Sequence, residues 1–271
     1  MRPSRIFLPL ALALIPSEAL AWGLQTHVFL AETALSLLPL SDPHLRQALS
    51  AHPMLVLAGA CLPDLFLAGR VLGMPAFRRS HRWSTLRRIS HAAVHEHERA
   101  LLVGYATHLV TDVVAHNDFV PEHEARIARV PHATHALAEW AMDEHLKKRA
   151  SVRPSEVLLA DGSTICAFVA KAFRCDPASA GRALRLLARA DGCLRASPVP
   201  RLCGALARAF DRSLAERFDR YAARAASQLG RLELALAGGL TDWVGLDPEG
   251  HSGDEGPDRR ARQHVARIVK P

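Results

Sequence analysis

The chain has 271 residues, 49% hydrophobic and 23% charged, with a net charge of +7. That balance excludes a disordered chain, a collagen-like repeat and a pure coiled coil, and the length is ample for a buried core. Aromatics are scarce at 6% while Ala, Leu and Arg are heavily used, which favours helices over a β-sandwich. Histidine is the outlier. Of 15 histidines, 13 fall between His27 and His145, so chemistry is expected in the N-terminal half.

The N-terminus reads as a processing signal. Arg2 and Arg5 precede the apolar run Ile6–Ile15, and Ala19-Leu20-Ala21 supplies the small residues of a cleavage site. Residues 1–21 are therefore expected to be a secretory signal peptide removed before Trp22, giving a secreted or periplasmic protein. The run is shorter than the about 20 apolar residues a membrane span needs. No cysteine stands at the cleavage site, which argues against a lipoprotein.

Without the signal, 32 basic and 26 acidic residues remain. The excess favours anionic partners, either phospholipid surfaces or nucleic acid. With the arginines spread along the chain it equally reads as a solubilising surface. Among five cysteines, Cys166, Cys175, Cys193 and Cys203 could form two disulfides in three pairings. Cys61, flanked by apolar residues, reads as a buried free thiol. No Cys-x-x-Cys spacing suggests a cysteine zinc site.

Taken in chain order, the spacing predicts a helix over His27–Leu38, ended by Pro39. Ser41-Asp42-Pro43 marks a helix start, with a capping side chain and a first-turn proline, and that helix stops by His52-Pro53. Apolar Met54–Ala60 leads into Cys61-Leu62-Pro63-Asp64, and Gly73–Ser80 reads as a loop. Arg99–Val114 and Glu122–Lys148 are expected to be long helices. Pro154-Ser155-Glu156 opens another, with Asp161-Gly162 a candidate break. Ala178–Ala190 is amphipathic, with Arg182, Arg185 and Arg189 on one face. Asp191-Gly192 and Ser197–Pro200 read as turns. Leu202–Leu236 is one long helix or two, closed by Gly238-Gly239, and the polar segment 246–271 reads as a mobile tail. No repeat and no strand pattern is evident.

Five short motifs carry chemistry. Cleavage before Trp22 would free an α-amine, which with its carbonyl can chelate a metal close to His27. Pro63 presents Asp64 at the end of an apolar segment; helix capping is the plainer reading of that carboxylate. His81 follows Ser80 in a basic loop, where a surface role is the simpler expectation. His108, Asp112 and His116 stand at i, i+4 and i+8, and steps of four drift only about 40° around a helix, so all three share one face. Two imidazoles and a carboxylate converging from one helix suit zinc, although a histidine–Asp112 ion pair is the structural alternative. His135 and Glu139 repeat the i, i+4 spacing, with His123, His132 and His145 as neighbouring competitors.

In this order the motifs resemble the zinc-dependent phospholipase C and S1/P1-type nuclease superfamily, over Trp22 to about Glu139. The resemblance implies an all-α fold, a single multi-helix bundle spanning 22–245, and up to three Zn2+ ions. One zinc would be held by Trp22, His27 and Asp112, a second by Asp64, His81, His108 and Asp112, and a third by His116, His135 and Glu139. It also implies hydrolysis of phosphoric esters by metal-activated water, with Asp64 and Asp112 as catalytic residues.

The chain departs from the bacillary phospholipases and the nucleases in the spacing after Asp112. The next ligand is His116, four residues on, where those enzymes have a histidine six residues on; position 118 here is aspartate. That spacing resembles the branch that includes lipases of glycosylphosphatidylinositol anchors. Gln25 stands where choline-preferring members carry an acid, and Leu65 where they carry an aromatic. Arg82-Trp83 follows His81 in place of the Tyr-Val usual in the nucleases. The sequence therefore points to phospholipase C-like hydrolysis of phospholipid at a membrane surface. A single-strand-specific zinc nuclease and a non-catalytic zinc-binding helical module are the alternatives, and no obligate protein partner is implied.

Overall fold

Prolines punctuate this chain at helix starts. Pro43, Pro53, Pro154 and Pro177 each sit in a first turn, where the missing N–H costs nothing and φ is already helical. Asp42, Asp161 and Asp176 cap three helices, each accepting from a backbone N–H two or three residues on. The computed structural model describes residues 23–37, 40–120, 122–123 and 131–237, excluding the side chains of 131–136 and 210. No strand occurs among the described residues, and the fold is all-α.

The helices are α1 (Leu24–Leu37), α2 (Pro43–Ala51), α3 (Pro53–Gly59), α4 (Leu65–Val71), α5 (Trp83–Ala92) and α6 (Glu96–Val114). There follow α7 (Pro131–Leu146), α8 (Pro154–Ala160), α9 (Gly162–Phe173), α10 (Pro177–Ala196), α11 (Val199–Phe210), α12 (Leu214–Gln228) and α13 (Leu232–Leu236).

The axis of the molecule is α6. Every residue from Ala100 to Val114 is buried, as expected of a helix that is apolar on all sides. Around it pack α1, α2, α3, α5, α12 and α13. The closest of these contacts, with α3, is made backbone to backbone. A Cβ on Gly59 would lie 2.2 Å from the Leu101 carbonyl oxygen, and one on Gly104 would lie 1.9 Å from that of Val56. Only glycine at both positions allows this approach. Two apolar cores meet along α1 and α6: Val28 and Val113 belong to one, Leu30 and Val114 to the other.

Several expectations need adjustment. Asp191-Gly192 is not a turn. It lies inside α10, where the Asp191 carboxylate is buried and accepts from Arg195 Nε at 2.7 Å, one helical turn on. The Leu202–Leu236 stretch is three helices. Its first break, at Asp211, is an Asx-type turn in which Asp211 Oδ1 accepts from the Ser213 N–H and hydroxyl. The Gly73–Ser80 loop contains one 3-10 turn, Pro75–Phe77. All five cysteines are free thiols, so the two disulfides that four of them allow are not formed here. Burial pushes the Cys61 thiol well above its ordinary range. Residues 1–21, Gly238-Gly239 and the tail 246–271 lie outside the described residues.

Candidate metal centre

The tight α3–α6 contact sets the site's geometry. Leaving α3, the buried segment Ala60–Pro63 runs beside α6 and delivers Asp64 at the start of α4. The Asp64 side chain makes no helix-capping hydrogen bond, so its carboxylate is kept for the cluster. His81, expected at the surface, is 2% exposed. Its backbone is fixed because Tyr105 OH donates to the Ser80 carbonyl and the Ser80 hydroxyl donates to the Pro63 carbonyl at 2.6 Å. His27 comes from the first turn of α1, and His108 and Asp112 from consecutive turns of α6.

These five side chains are buried together. His108 Nε2 lies 3.0 Å from Asp112 Oδ2 and 3.1 Å from His81 Nε2. His81 Nε2 lies 3.7 Å from the same Oδ2 and 3.4 Å from Asp64 Oδ1. The other Asp112 oxygen, Oδ1, faces His27 Nε2 at 3.2 Å. The His27 and His108 rings stack at 3.6 Å. Asp112 thus turns one oxygen toward His27 and the other toward His81 and His108.

The tautomers follow from what the other ring nitrogens touch. His108 Nδ1 lies 2.8 Å from the Ala60 carbonyl oxygen. That oxygen can only accept, so Nδ1 carries the hydrogen and Nε2 presents a lone pair. The Ser80 hydroxyl spends its hydrogen on Pro63, so His81 Nδ1, at 3.3 Å, donates to it and again leaves Nε2 bare. Thr111 Oγ1 donates to the carbonyls of Thr107 and His108 and faces His27 Nδ1 at 3.5 Å. Lone pairs of three imidazoles and two carboxylates therefore converge in a buried space.

Such a set repels itself unless a cation or added protons stand between its members. Burial by itself would raise the Asp112 carboxyl. The His108 and His27 imidazoles outweigh that and hold it well below the ordinary range. The spacing fits zinc. A tetrahedral ion with bonds of about 2.0–2.1 Å separates its ligands by about 3.3 Å, and the donor separations here run from 3.0 to 3.7 Å. Two overlapping triads, His27/Asp64/His108 and His81/His108/Asp112, each bring their donor atoms within 4.8 Å of one another.

The remaining candidates are only partly in view. His116 is half-buried at the second position of a π-helical turn, Ala115–Phe119, which continues α6. Glu139 is 1% exposed on α7. Trp22 and the side chain of His135 lie outside the described residues. Of the competitors, His145 is engaged elsewhere, with Nε2 2.8 Å from Asp219 Oδ1. His123 is buried and stacks on Phe119 at 5.7 Å.

Sequence reasoning missed a network that anchors the N-terminal arm of the site. Asp143 Oδ1 accepts from the Thr26 N–H at 3.0 Å and the Thr26 hydroxyl at 2.7 Å, and Oδ2 accepts from the Gln25 N–H at 3.3 Å. Asp143 therefore satisfies first-turn donors of α1 from a different helix. Arg195 holds it there through a 2.8 Å bond and also binds Asp191. A Cβ on Gly23 would meet Asp143 Oδ2 at 2.1 Å, so glycine lets the carboxylate reach the helix end. Burial pushes the Asp191 carboxyl up, and the guanidinium of Arg195 only partly offsets it. The signal for Asp143 is its spacing: it stands four residues after Glu139 on the same face of α7.

The fold and the site define a helical protein with a buried histidine–carboxylate centre suited to a divalent metal. The model of the zinc dependent phospholipase C family matches residues 26–175, and the chain belongs to that family of zinc-dependent hydrolases. No curated protein and no solved structure matches the chain. The matched span contains every proposed ligand except Trp22.

Proposed function

We propose that this chain is an exported phospholipase C-like phosphodiesterase that hydrolyses phospholipids with up to three zinc ions. The observation that carries this reading is the convergence of bare Nε2 atoms from His27, His81 and His108 on Asp64 and both oxygens of Asp112. Asp112 would bridge two ions, one shared with His27 and the freed Trp22 amine and carbonyl, the other with Asp64, His81 and His108. His116, His135 and Glu139 would hold the third.

Zinc, when bound, supplies a Lewis acid that lowers the pKa of water toward about 7 and offsets charge on phosphoryl oxygens. The chain's own residues do the rest. Asp64, with no cap hydrogen bond to satisfy, accepts the proton of the attacking water at a carboxylate oxygen. Asp112 stays ionised between the imidazoles. The Ala60 carbonyl and Ser80 hydroxyl hold His108 and His81 in the ligating tautomer.

Two observations support a head group other than choline. Gln25 is buried and its amide donates to the Val152 carbonyl at 3.0 Å, so nothing anionic is offered there. Leu65 is wholly buried in the core and forms no aromatic wall. The test is diacylglycerol release from mixed phospholipid vesicles by zinc-loaded protein, with His108→Ala as the blank and bound zinc measured in both. Release that vanishes with the zinc of the variant supports the reading. Cleavage of single-stranded oligonucleotides without lipid turnover would replace it with a nuclease, and zinc retained without any hydrolysis with a non-catalytic module.

A further inference from the structure

The positive charge of this protein is concentrated beside the candidate centre. Residues 65–95 contain Arg70, Arg78, Arg79, Arg82, Arg87 and Arg88 and no acidic residue. The rest of the chain is nearly balanced, with 28 basic and 27 acidic residues. The segment therefore carries six of the seven net charges. Arg70, Arg78, Arg79, Arg87 and Arg88 are exposed. None of these five makes an ion pair among the described residues. Arginines left without acidic neighbours present a field that only an external anion neutralises.

Apolar groups stand among these charges. Val71 is 53% and Leu72 39% exposed at the end of α4, directly after Arg70. Gly73 then turns the chain at φ +65°. The loop that follows is braced. Phe77 is wholly buried and packs edge-on against Phe173 at 5.0 Å. The loop starts from the helix headed by Asp64 and ends at His81, where Ser80 ties back to Pro63. Phe66 meets the His81 ring edge-on at 6.4 Å and carries Arg70 over its face at 5.5 Å. The exposed stretch is thus a rigid extension of the segment between two candidate ligands.

We propose that this face, Arg70–Arg79 with Arg87 and Arg88, docks the protein on an anionic phospholipid bilayer. The inference rests on the phospholipid reading of the centre above. Val71 and Leu72 would enter the boundary between head groups and acyl chains while the arginines pair with lipid phosphates. Charge complementarity selects the anionic surface. The apolar pair selects a bilayer over nucleic acid, which binds through exposed aromatics. Here Phe77 is buried, Phe66 is packed against His81, and Trp83 is packed against the core.

The test is co-sedimentation of zinc-loaded protein with phosphatidylcholine vesicles, with and without phosphatidylglycerol, at low and high salt. Binding is expected to require the anionic lipid and to weaken with salt. Each arginine at such a surface is worth about fivefold in affinity, so Arg78→Ala with Arg79→Ala is expected to weaken binding by about 25-fold. Val71→Ser with Leu72→Ser is expected to weaken it as well. Both pairs are exposed, so the fold is kept, and turnover of a soluble short-chain phospholipid should match the parent protein. Unchanged vesicle binding in both double variants overturns the docking surface. So does a loss confined to single-stranded oligonucleotide binding. Vesicle binding that needs these residues, in a protein that hydrolyses no phospholipid, instead overturns the catalytic reading and leaves the surface standing.

Discussion

Asp143→Asn tests how the N-terminal arm of the centre is held. The substitution keeps the shape of the side chain and one carbonyl for the Thr26 N–H and hydroxyl. At the second position an amide N–H replaces the oxygen that accepts from Gln25 at 3.3 Å and Arg195 at 2.8 Å. The charge-assisted bond to Arg195 is worth about 1.5–3 kcal/mol, and an orphaned buried N–H costs about 1–3 kcal/mol. One relief acts the other way, because Asp143 also repels the buried Asp191 carboxylate.

The balance is a loss of about 3 kcal/mol, at the low end of the about 3–5 kcal/mol for breaking a buried pair. For a chain of this size that lowers Tm by about 6–12 °C. Thermal and urea unfolding of the zinc-free protein measure it. Bound zinc should fall too, since His27 follows Thr26 directly in the anchored turn. An Asn variant within about 0.5 kcal/mol of the parent, the usual scatter for an inert surface change, would show that Asp143 anchors nothing.

Other outcomes follow from the same geometry. Gly104→Ala drives a Cβ against the Val56 carbonyl and is expected to destabilise by more than the about 1–3 kcal/mol of ordinary overpacking. Denaturant midpoints check it, and bound zinc should be lost alongside. Ser80→Ala removes the acceptor of His81 Nδ1 and is expected to weaken zinc by about 10-fold or more, read by competition with a chelating dye. Zinc uptake should release protons, because the imidazoles facing the ionised Asp112 take up protons when the metal is absent; calorimetry in buffers of different protonation enthalpy counts them.

A pH prediction concerns Glu98. Burial would raise Glu98, yet the Lys171 ammonium and the N–H groups of His95 and Val94 hold it below its ordinary 4.5. Its folded value is depressed, so its contribution is present above 4.5 and lost as pH falls through the lower folded value. Glu98→Gln should therefore cost about 1 kcal/mol at neutral pH and progressively less in acid.

Much of this was legible because short-range rules decided it. Asp42-Pro43 fixed the start of α2, and the i, i+4 spacing of His108 and Asp112 put both on one helix face. Two things were illegible, each for a physical reason. Asp191-Gly192 carries the residue types of a turn, but a buried Asp191–Arg195 bond one turn apart keeps the helix going. Asp143 and Arg195 lie 52 residues apart, and no local pattern links them. The tautomer locks also depend on long-range contacts: Ala60 reaches His108 across 48 positions. α6 gave length but no amphipathic stripe, because all its faces are buried.

The π-helical turn at Ala115–Phe119 has a consequence for how this segment can change in length. The Val120 N–H bonds to the Ala115 carbonyl, so the turn holds one residue more than an α-helix would. Deleting a single residue here would restore a regular helix and swing everything beyond it by about 100°. Phe119 would then leave its packing against Phe218 and Tyr221, at 5.7 and 5.3 Å. Substitutions at the exposed positions of this turn should be tolerated while one-residue insertions and deletions are not, a pattern that a library of indels would separate from ordinary loop tolerance.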